Sequence, residues 1–414
     1  MPWRETSPME QRLDFIREYE SDLFTMTELA AQYGITPKTG YKWLERYAAE
    51  GPLGLCDRSR RPQSSPDATD LELVDAIVGL RRRHPRWGPK KLLAVLRRRE
   101  PHVAWPARST VCGLLKARGL VRPHRRRATS VIVPSTLTPM TRPNQVWTTD
   151  FKGEFRTGDR AYCYPLTLRD GFSRFVLRCD ALLGRTTVAT RQRFERAFAE
   201  YGLPERMRSD NGGPFASPGL AGLSQLSVWW IRLGIIPERI APGHPEQNGS
   251  HEQFHSVLKA DTARPPAATA AAQQRRFVRF CAEYNHERPH EALHDEPPAS
   301  CYEPSPRSFP RRLPALEYPG HCEVRFVGSN GCVSWKSAPQ FVASALAGQY
   351  VAFEEIDDGI WTLSFATVAL ARYDERHRTL RPLPIAGNRG RSAGFAGSAP
   401  DLKCTKTPND QNPQ

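Results

Sequence analysis

Long apolar runs are missing from this chain. No stretch approaches the ~18–20 apolar residues that span a bilayer, and residues 1–10 lack the apolar core of a secretory signal. A cytoplasmic protein without a membrane partner is expected. Cysteine pairs are missing too. Nine cysteines in 414 residues, an odd count with no CxxC, exclude a disulfide framework and a cysteine-rich zinc module. Lysine is scarce, supplying 10 of the 59 basic residues. Acids almost vanish between residues 81 and 127, where 13 Arg and 3 Lys face Glu100 alone. That segment carries the whole formal surplus of +15, and the rest of the chain sums to neutral. Such a field attracts polyanions, and arginine's planar fork suits phosphate, so nucleic acid is the expected partner.

What is present reads as a multidomain protein. Residues 1–56 hold apolar positions at helical spacing, then a short helix, a turn at Gly34, and a second helix capped by Thr36: a helix-turn-helix pattern. In that geometry Thr39, Lys42 and Arg46 share the exposed, DNA-facing side, while Leu44 and Tyr47 point inward. Residues 57–67 form a basic Pro/Ser-rich linker suited to lie along phosphates, with Arg58, Arg60 and Arg61 as contacts. A second helix-turn-helix module is expected over 68–127. Its helices are 89–96, carrying Lys90 and Lys91, and 108–115, and a basic tether holds Arg125, Arg126 and Arg127. A linker follows at 128–139.

From 140 to 305 strands alternate with helices. Strands are predicted at 146–151, 162–169, 175–181, 206–209 and 237–240. Helices are predicted at 187–201, 220–233, 248–260 and 273–284. This order implies an α/β unit, a mixed sheet with helices on its faces. Residues 306–384 return to short strands (324–327, 332–335, 350–353, 361–365) separated by Gly and Asp turns, which suggests a small β-barrel. Residues 385–414, rich in Gly, Ser, Pro and Asn, read as a disordered tail.

Within the α/β unit, Asp150 and Asp210 each end a strand. If those strands are neighbours, both carboxylates emerge at one sheet edge. A third acid on a nearby helix would complete a set of oxygen donors for divalent cations, the arrangement phosphoryl transfer uses.

The motifs resemble a family. Trp147-Thr148-Thr149-Asp150-Phe151, Ser209-Asp210-Asn211-Gly212 and the segment from His244 to His255 resemble the three acidic signatures of DDE transposases, the retroviral-integrase-like group of bacterial insertion sequences. Asp170-Gly171-Phe172-Ser173-Arg174 and the segment from Tyr284 to Leu293 are similar to further segments of that catalytic domain, in the same order. The resemblance covers roughly residues 20–305. It implies an RNase H-like (ribonuclease H/integrase) core and two Mg²⁺ (or Mn²⁺) per active site held by Asp150, Asp210 and Glu252. It also implies 3′-end cleavage of double-stranded DNA at terminal inverted repeats, followed by attack of the freed 3′-OH on target DNA. A homodimer or higher homo-oligomer on DNA is the expected assembly, with Lys259 beside the backbone.

Four alternatives compete. Glu246 lies 36 positions after Asp210, matching the family's often-quoted spacing better than Glu252, but it precedes the helix that carries Glu252. His251-Glu252-Gln253-Phe254-His255 also matches H-E-x-x-H, the zinc metalloprotease pattern, which would leave the basic segment and both Asp-bearing strands unexplained. On the preferred reading one of these histidines is a phosphate donor and the other incidental. A DNA-binding regulator with an inactive core, or a plain RNase H-type nuclease, would use only half of these features.

Overall fold

A computed structural model describes residues 7–59, 68–121, 137–217, 220–241 and 244–383. The chain divides into two compact units, Met1–Asp70 and Leu71–Gln414.

The first unit is a three-helix module. α1 (Pro8–Glu20) and α2 (Met26–Gln32) each begin with a capping box, Ser7 with Glu10 and Thr25 with Glu28, which satisfies amides that an isolated helix end leaves open. Gly34, at φ +64°, makes the turn into α3 (Pro37–Glu50), and Thr36 caps it as its position predicts. Phe15, Ile16, Met26, Leu29, Trp43 and Leu55 form the core, with Leu44 and Tyr47 packed against it. α3 crosses close at Gly40, where a Cβ would sit 2.5 Å from Met26 Sδ and 2.7 Å from Phe15 Cζ.

The second unit opens with another helical trio: α4 (Leu71–Arg83), α5 (Pro89–Arg99) and α6 (Arg108–Ala117). They enclose Ile77, Leu80, Trp87, Leu92, Trp105 and Val111.

The sheet follows, with β1 at Val146–Phe151, β2 at Phe155–Arg156, β3 at Tyr162–Asp170, β4 at Val176–Leu182, β5 at Arg206–Ser209 and β6 at Ile236–Arg239. β3 lies between β4 and β1, antiparallel to both, while β1–β5 and β5–β6 are parallel. α7 (Thr187–Tyr201) and α8 (Gln225–Arg232) bury Phe194, Phe198, Trp229 and Trp230 with Trp147 and Met207 of the sheet. α9 (Gly249–Thr262) and α10 (Ala270–His286) bury Phe254, Leu258, Phe277 and Tyr284 with Cys163, Val176 and Cys179. This is an RNase H-like α/β core with helices on both faces. The motif at 170–174 serves the fold, since Asp170 accepts the Asn144 and Ser173 amides at 2.8 and 2.7 Å and the Ser173 hydroxyl at 2.6 Å.

The C-terminal region differs from expectation. β7 (Glu323–Phe326), β10 (Tyr350–Asp357), β11 (Ile360–Phe365), β12 (Val368–Asp374) and β13 (Thr379–Pro382) make an open sheet ordered β13-β12-β11-β10-β7. β8 (Cys332–Trp335) and β9 (Ala338–Phe341) form a separate hairpin. No closed barrel exists among the described residues, because β7 and β13 do not pair. Instead the sheet and hairpin share a core with the catalytic layer: Leu223, Val228 and Ile231, around α8, pack with Trp335, Phe353 and Leu363.

Candidate functional site

β1 and β5 are parallel neighbours with Thr148 opposite Arg208. Two residues further along each strand come Asp150 and Asp210, so the register brings both to one edge, about one strand spacing (~4.8 Å) apart in backbone. Asp210 opens a turn in which the Gly212 amide donates to its Oδ1 at 3.1 Å. The adjacent Asn211 ties that turn to the Ile240 carbonyl at 2.9 Å. Asp210 thus begins a turn and also stands at the edge of the sheet.

The third acid stands on α9. Burial of Phe254 and Leu258 fixes which face of that helix meets the sheet, at ~2 kcal/mol or more per side chain. Arg169 of β3, fully buried, donates to the Ser250 carbonyl at 2.9 Å and lies 4.7 Å from the Phe254 ring, clamping the first turn. Glu252, two residues on, is exposed, and its charge reaches Asp150. The side chain of Glu246 lies outside the described residues, and its backbone belongs to the turn before α9.

The two histidines flanking Glu252 are 0% and 2% exposed and lie behind the acids. His251 Nε2 and His255 Nε2 both sit 2.7 Å from the Thr167 hydroxyl, whose oxygen is also 3.0 Å from the Asp150 carbonyl. A hydroxyl has one proton and two lone pairs. Donating to the Asp150 carbonyl and accepting from both Nε2–H groups uses all three. His251 Nδ1 then accepts from the Thr148 hydroxyl at 2.9 Å, and His255 Nδ1 faces Asp150 Oδ2 at 3.5 Å. This arrangement corrects two expectations. Neither histidine reaches solvent to meet a phosphate, and their Nε2 atoms converge on Thr167 rather than on a zinc ion with Glu252 beside it. Sequence reasoning did not find Thr167, because its partners lie 84 and 88 positions away.

Electrostatics favour a cation at this edge. Burial, then the Asp210 and Glu252 carboxylates, push Asp150 up to about 7, with the Phe151 amide and Lys152 opposing. Burial also raises Asp210, opposed by the Gly212 amide and Arg185. Burial, followed by Lys152 and Arg169, pushes His255 down to about 2; His251 falls through burial and the neighbouring His255. Neutral imidazoles cannot balance the acids. Among the described residues the three carboxylates do not close into a cage with every ligand atom within 4.8 Å; the group that does is His321, Cys322 and Glu354, on the C-terminal sheet. Hard oxygen donors that repel one another without a counter-charge fit a divalent cation of the Mg²⁺ type.

The residues expected to touch DNA fare differently. Lys42 is exposed on α3, whereas Arg46 is half-buried with its guanidinium 5.1 Å from the Trp43 ring, and Thr39 is half-buried beside Thr36 at the helix start. Arg58 pairs with Glu50. Lys259 is exposed on α9, seven residues and so about two turns beyond Glu252, on the same helix face. Lys90 and Lys91 are only partly exposed. Lys90 Nζ lies 3.0 Å from Glu291 and 3.5 Å from Asp295, and burial lowers Lys91 to about 8. α6 presents an exposed face of its own, with Arg108, Ser109, Thr110, Cys112 and Lys116. Arg60, Arg61, Arg125, Arg126 and Arg127 lie outside the described residues.

Comparison with known proteins fits this arrangement. An integrase core domain matches residues 140–245 and again 233–298, a helix-turn-helix domain matches 11–63, and a homeodomain-like domain matches 39–115. An uncharacterized 31.7 kDa protein of insertion element IS407 from Burkholderia multivorans is 27% identical over 244 residues, 58% of this chain and 84% of the relative. An uncharacterized 39.2 kDa protein of insertion element IS476 from Xanthomonas euvesicatoria is 27% identical over 249 residues, 59% of this chain and 69% of the relative. The magnesium-bound HTLV-2 integrase catalytic core domain, in its trimeric form, aligns with 39% of this chain and 98% of its own at 16% identity, with a TM-score of 0.29. At that score the likeness carries no argument. Helix-turn-helix domains ahead of an integrase core domain, together with similarity to proteins of two insertion elements, support an insertion-sequence transposase.

Proposed function

We propose that this chain is a DDE-type transposase that binds the terminal inverted repeats of its element, cuts the 3′ ends and joins them to target DNA. The observation that carries the reading is the β1–β5 register, which sets Asp150 beside Asp210 at the edge Glu252 overlooks. Asp150, Asp210 and Glu252 would hold Mg²⁺ or Mn²⁺, two ions in the full complex. Bound cations would neutralise the acids and stabilise charge developing on the attacked phosphate.

The rest of the chemistry belongs to the chain. Arg169 and the Thr167–histidine cluster hold β1, β3 and α9 in register, so the carboxylates meet the phosphate preorganised. In the first step water adds to phosphorus as the 3′ P–O bond breaks, leaving a 3′-OH and a 5′-phosphate. In the second that 3′-OH attacks a target phosphodiester and releases a target 3′-OH, so the number of diester bonds is unchanged. No covalent enzyme intermediate is needed, and neither buried histidine takes part in proton transfer.

The test is a duplex carrying the element's terminal repeat, incubated with the full chain and Mg²⁺ and then with supercoiled target. Nicking at the 3′ end followed by joined product is the expected outcome. Binding without nicking would indicate a regulator, and nicking without joining a nuclease. On DNA the chain should sediment as a dimer or larger assembly.

A further inference from the structure

The helical trio α4–α6 meets the catalytic core along two stretches with different charge balance. On one, cations are matched by acids: Lys90 with Glu291 and Asp295, Arg98 with Glu296 at 3.6 Å, Arg99 with Glu287 at 3.3 Å. On the other, where the end of α4 faces α9 and α10, a cleft of about 660 Å³ opens, and cations exceed acids. Arg83, Arg86, Arg264, Arg276 and Arg279 line it against Asp261 and Glu283. Both acids are engaged, Asp261 by Arg86 at 3.3 Å and Glu283 by His84 at 2.9 Å. Arg276 donates to the Pro265 carbonyl at 2.7 Å. Arg83, Arg264 and Arg279 are exposed and have no ion pair or hydrogen bond among the described residues. The floor is rigid: Trp87 is buried and stacks on His84 at 3.8 Å, beside buried Phe280.

Three unpaired guanidiniums on a preformed, partly apolar cleft suit a strand of phosphates better than a single small anion. Its position narrows the choice further. One wall is the helical trio; the other is formed by α10 and by the C-terminal end of α9, the helix that carries Glu252. Nine residues separate Glu252 from Asp261, about 14 Å at 1.5 Å per residue, or about four base pairs of B-form rise.

We propose that this cleft is a second phosphate-binding site. It takes the backbone of the same duplex whose end is cut at the acidic edge, with Arg83, Arg264 and Arg279 as the phosphate ligands. The assignment rests on the transposase reading above. It adds that DNA passes from the helical trio to the active site along α9, held about four base pairs from the scissile bond.

The experiment measures binding of the full chain to the terminal-repeat duplex at several salt concentrations, by fluorescence anisotropy. For the triple variant Arg83→Ala/Arg264→Ala/Arg279→Ala the slope of log K against log salt should shrink by about 2–3, at ~0.9 per lost phosphate contact. The Arg→Lys triple variant should keep the wild-type slope, and matching thermal midpoints would show that all are folded. A control of equal charge loss on the C-terminal sheet, Arg372→Ala/Arg376→Ala/Arg378→Ala, should leave the slope unchanged. Ethylation of phosphates about four base pairs from the cut should impair binding by the wild type but not by the Ala variant. An unchanged slope in the cleft variant, or an equal drop in the control, overturns the proposal. If the wild-type chain neither binds nor nicks the duplex, the transposase reading is what fails.

Discussion

At the residue scale, the Thr167 hydroxyl and the Asp150 carboxyl hold the site in opposite ways. Thr167 satisfies two buried imidazoles and adds a bond to the Asp150 carbonyl, so removing its oxygen leaves two imidazole N–H donors unpaired. Thr167→Val, nearly the same shape, should lower unfolding stability by at least about 2 kcal/mol, while Thr167→Ser should cost under about 1. Urea midpoints check this, and equal losses in the two variants would contradict the accounting. Asp150 works against the metal-free fold. In the unfolded chain it titrates near 3.8, in the folded chain near 7, so the folded state holds the extra proton between those values. Stability from this group is present below about 4 and lost as pH rises toward 7. Asp150→Asn should therefore be more stable than wild type in chelator at pH 8, by about 4 kcal/mol, and at pH 5 by less than half of that. Calorimetry at the two pH values decides it; no gain at pH 8 would mean that Asp150 is not strained by its neighbours.

At the scale of elements, α3 and α9 show how much the chain's own pattern discloses. The helix at 249–262 was legible because Phe254 and Leu258 recur at helical spacing, and that face then sets where Glu252 points. Strands β1 and β5 were legible as short runs ending at Asp, although only β1 begins with apolar residues. The Thr167 cluster was not, since it depends on the pairing of β1, β3 and α9, which no local period encodes. Lys90 and Lys91 misled for a related reason: a charge run shows cations but not the acids about 200 positions away that engage them. Strands β9, β12 and β13 escaped notice because their alternation is brief and broken by tight turns, and closure of a sheet depends on edges that no single strand specifies. α3 offers a test of local against tertiary preference. Gly40→Ala in a solvated helix would gain about 1 kcal/mol, but here the new Cβ meets Met26 and Phe15 at under 3 Å. The overpacking term, about 1–3 kcal/mol, should win. Faster amide hydrogen exchange across residues 8–50 of the full chain is the expected outcome, and slower exchange would contradict it.

At the scale of the whole molecule, the catalytic layer does not end where the strand–helix alternation does. Arg307 donates to the carbonyls of Pro204, Leu233 and Gly234, and Phe309 packs on Phe198 and Trp229. Beyond this strap the C-terminal sheet covers Leu223, Val228 and Ile231, leaving them at most 7% exposed. A fragment of residues 137–305 would expose that patch to water and should aggregate or melt well below 137–383; equal melting of the two would refute the shared core.

The central claim is that Asp150, Asp210 and Glu252 act together on DNA phosphates. The most direct measurement is Mg²⁺-dependent 3′-end cleavage of terminal-repeat duplex by Asp150→Asn, Asp210→Asn, Glu252→Gln and Glu246→Gln, with duplex binding measured on the same samples. The first three should lose cleavage by 10³-fold or more, on the order of 4 kcal/mol of barrier, while binding as wild type. Glu246→Gln should still cut. Full cleavage by Glu252→Gln with loss in Glu246→Gln would contradict the account at its centre.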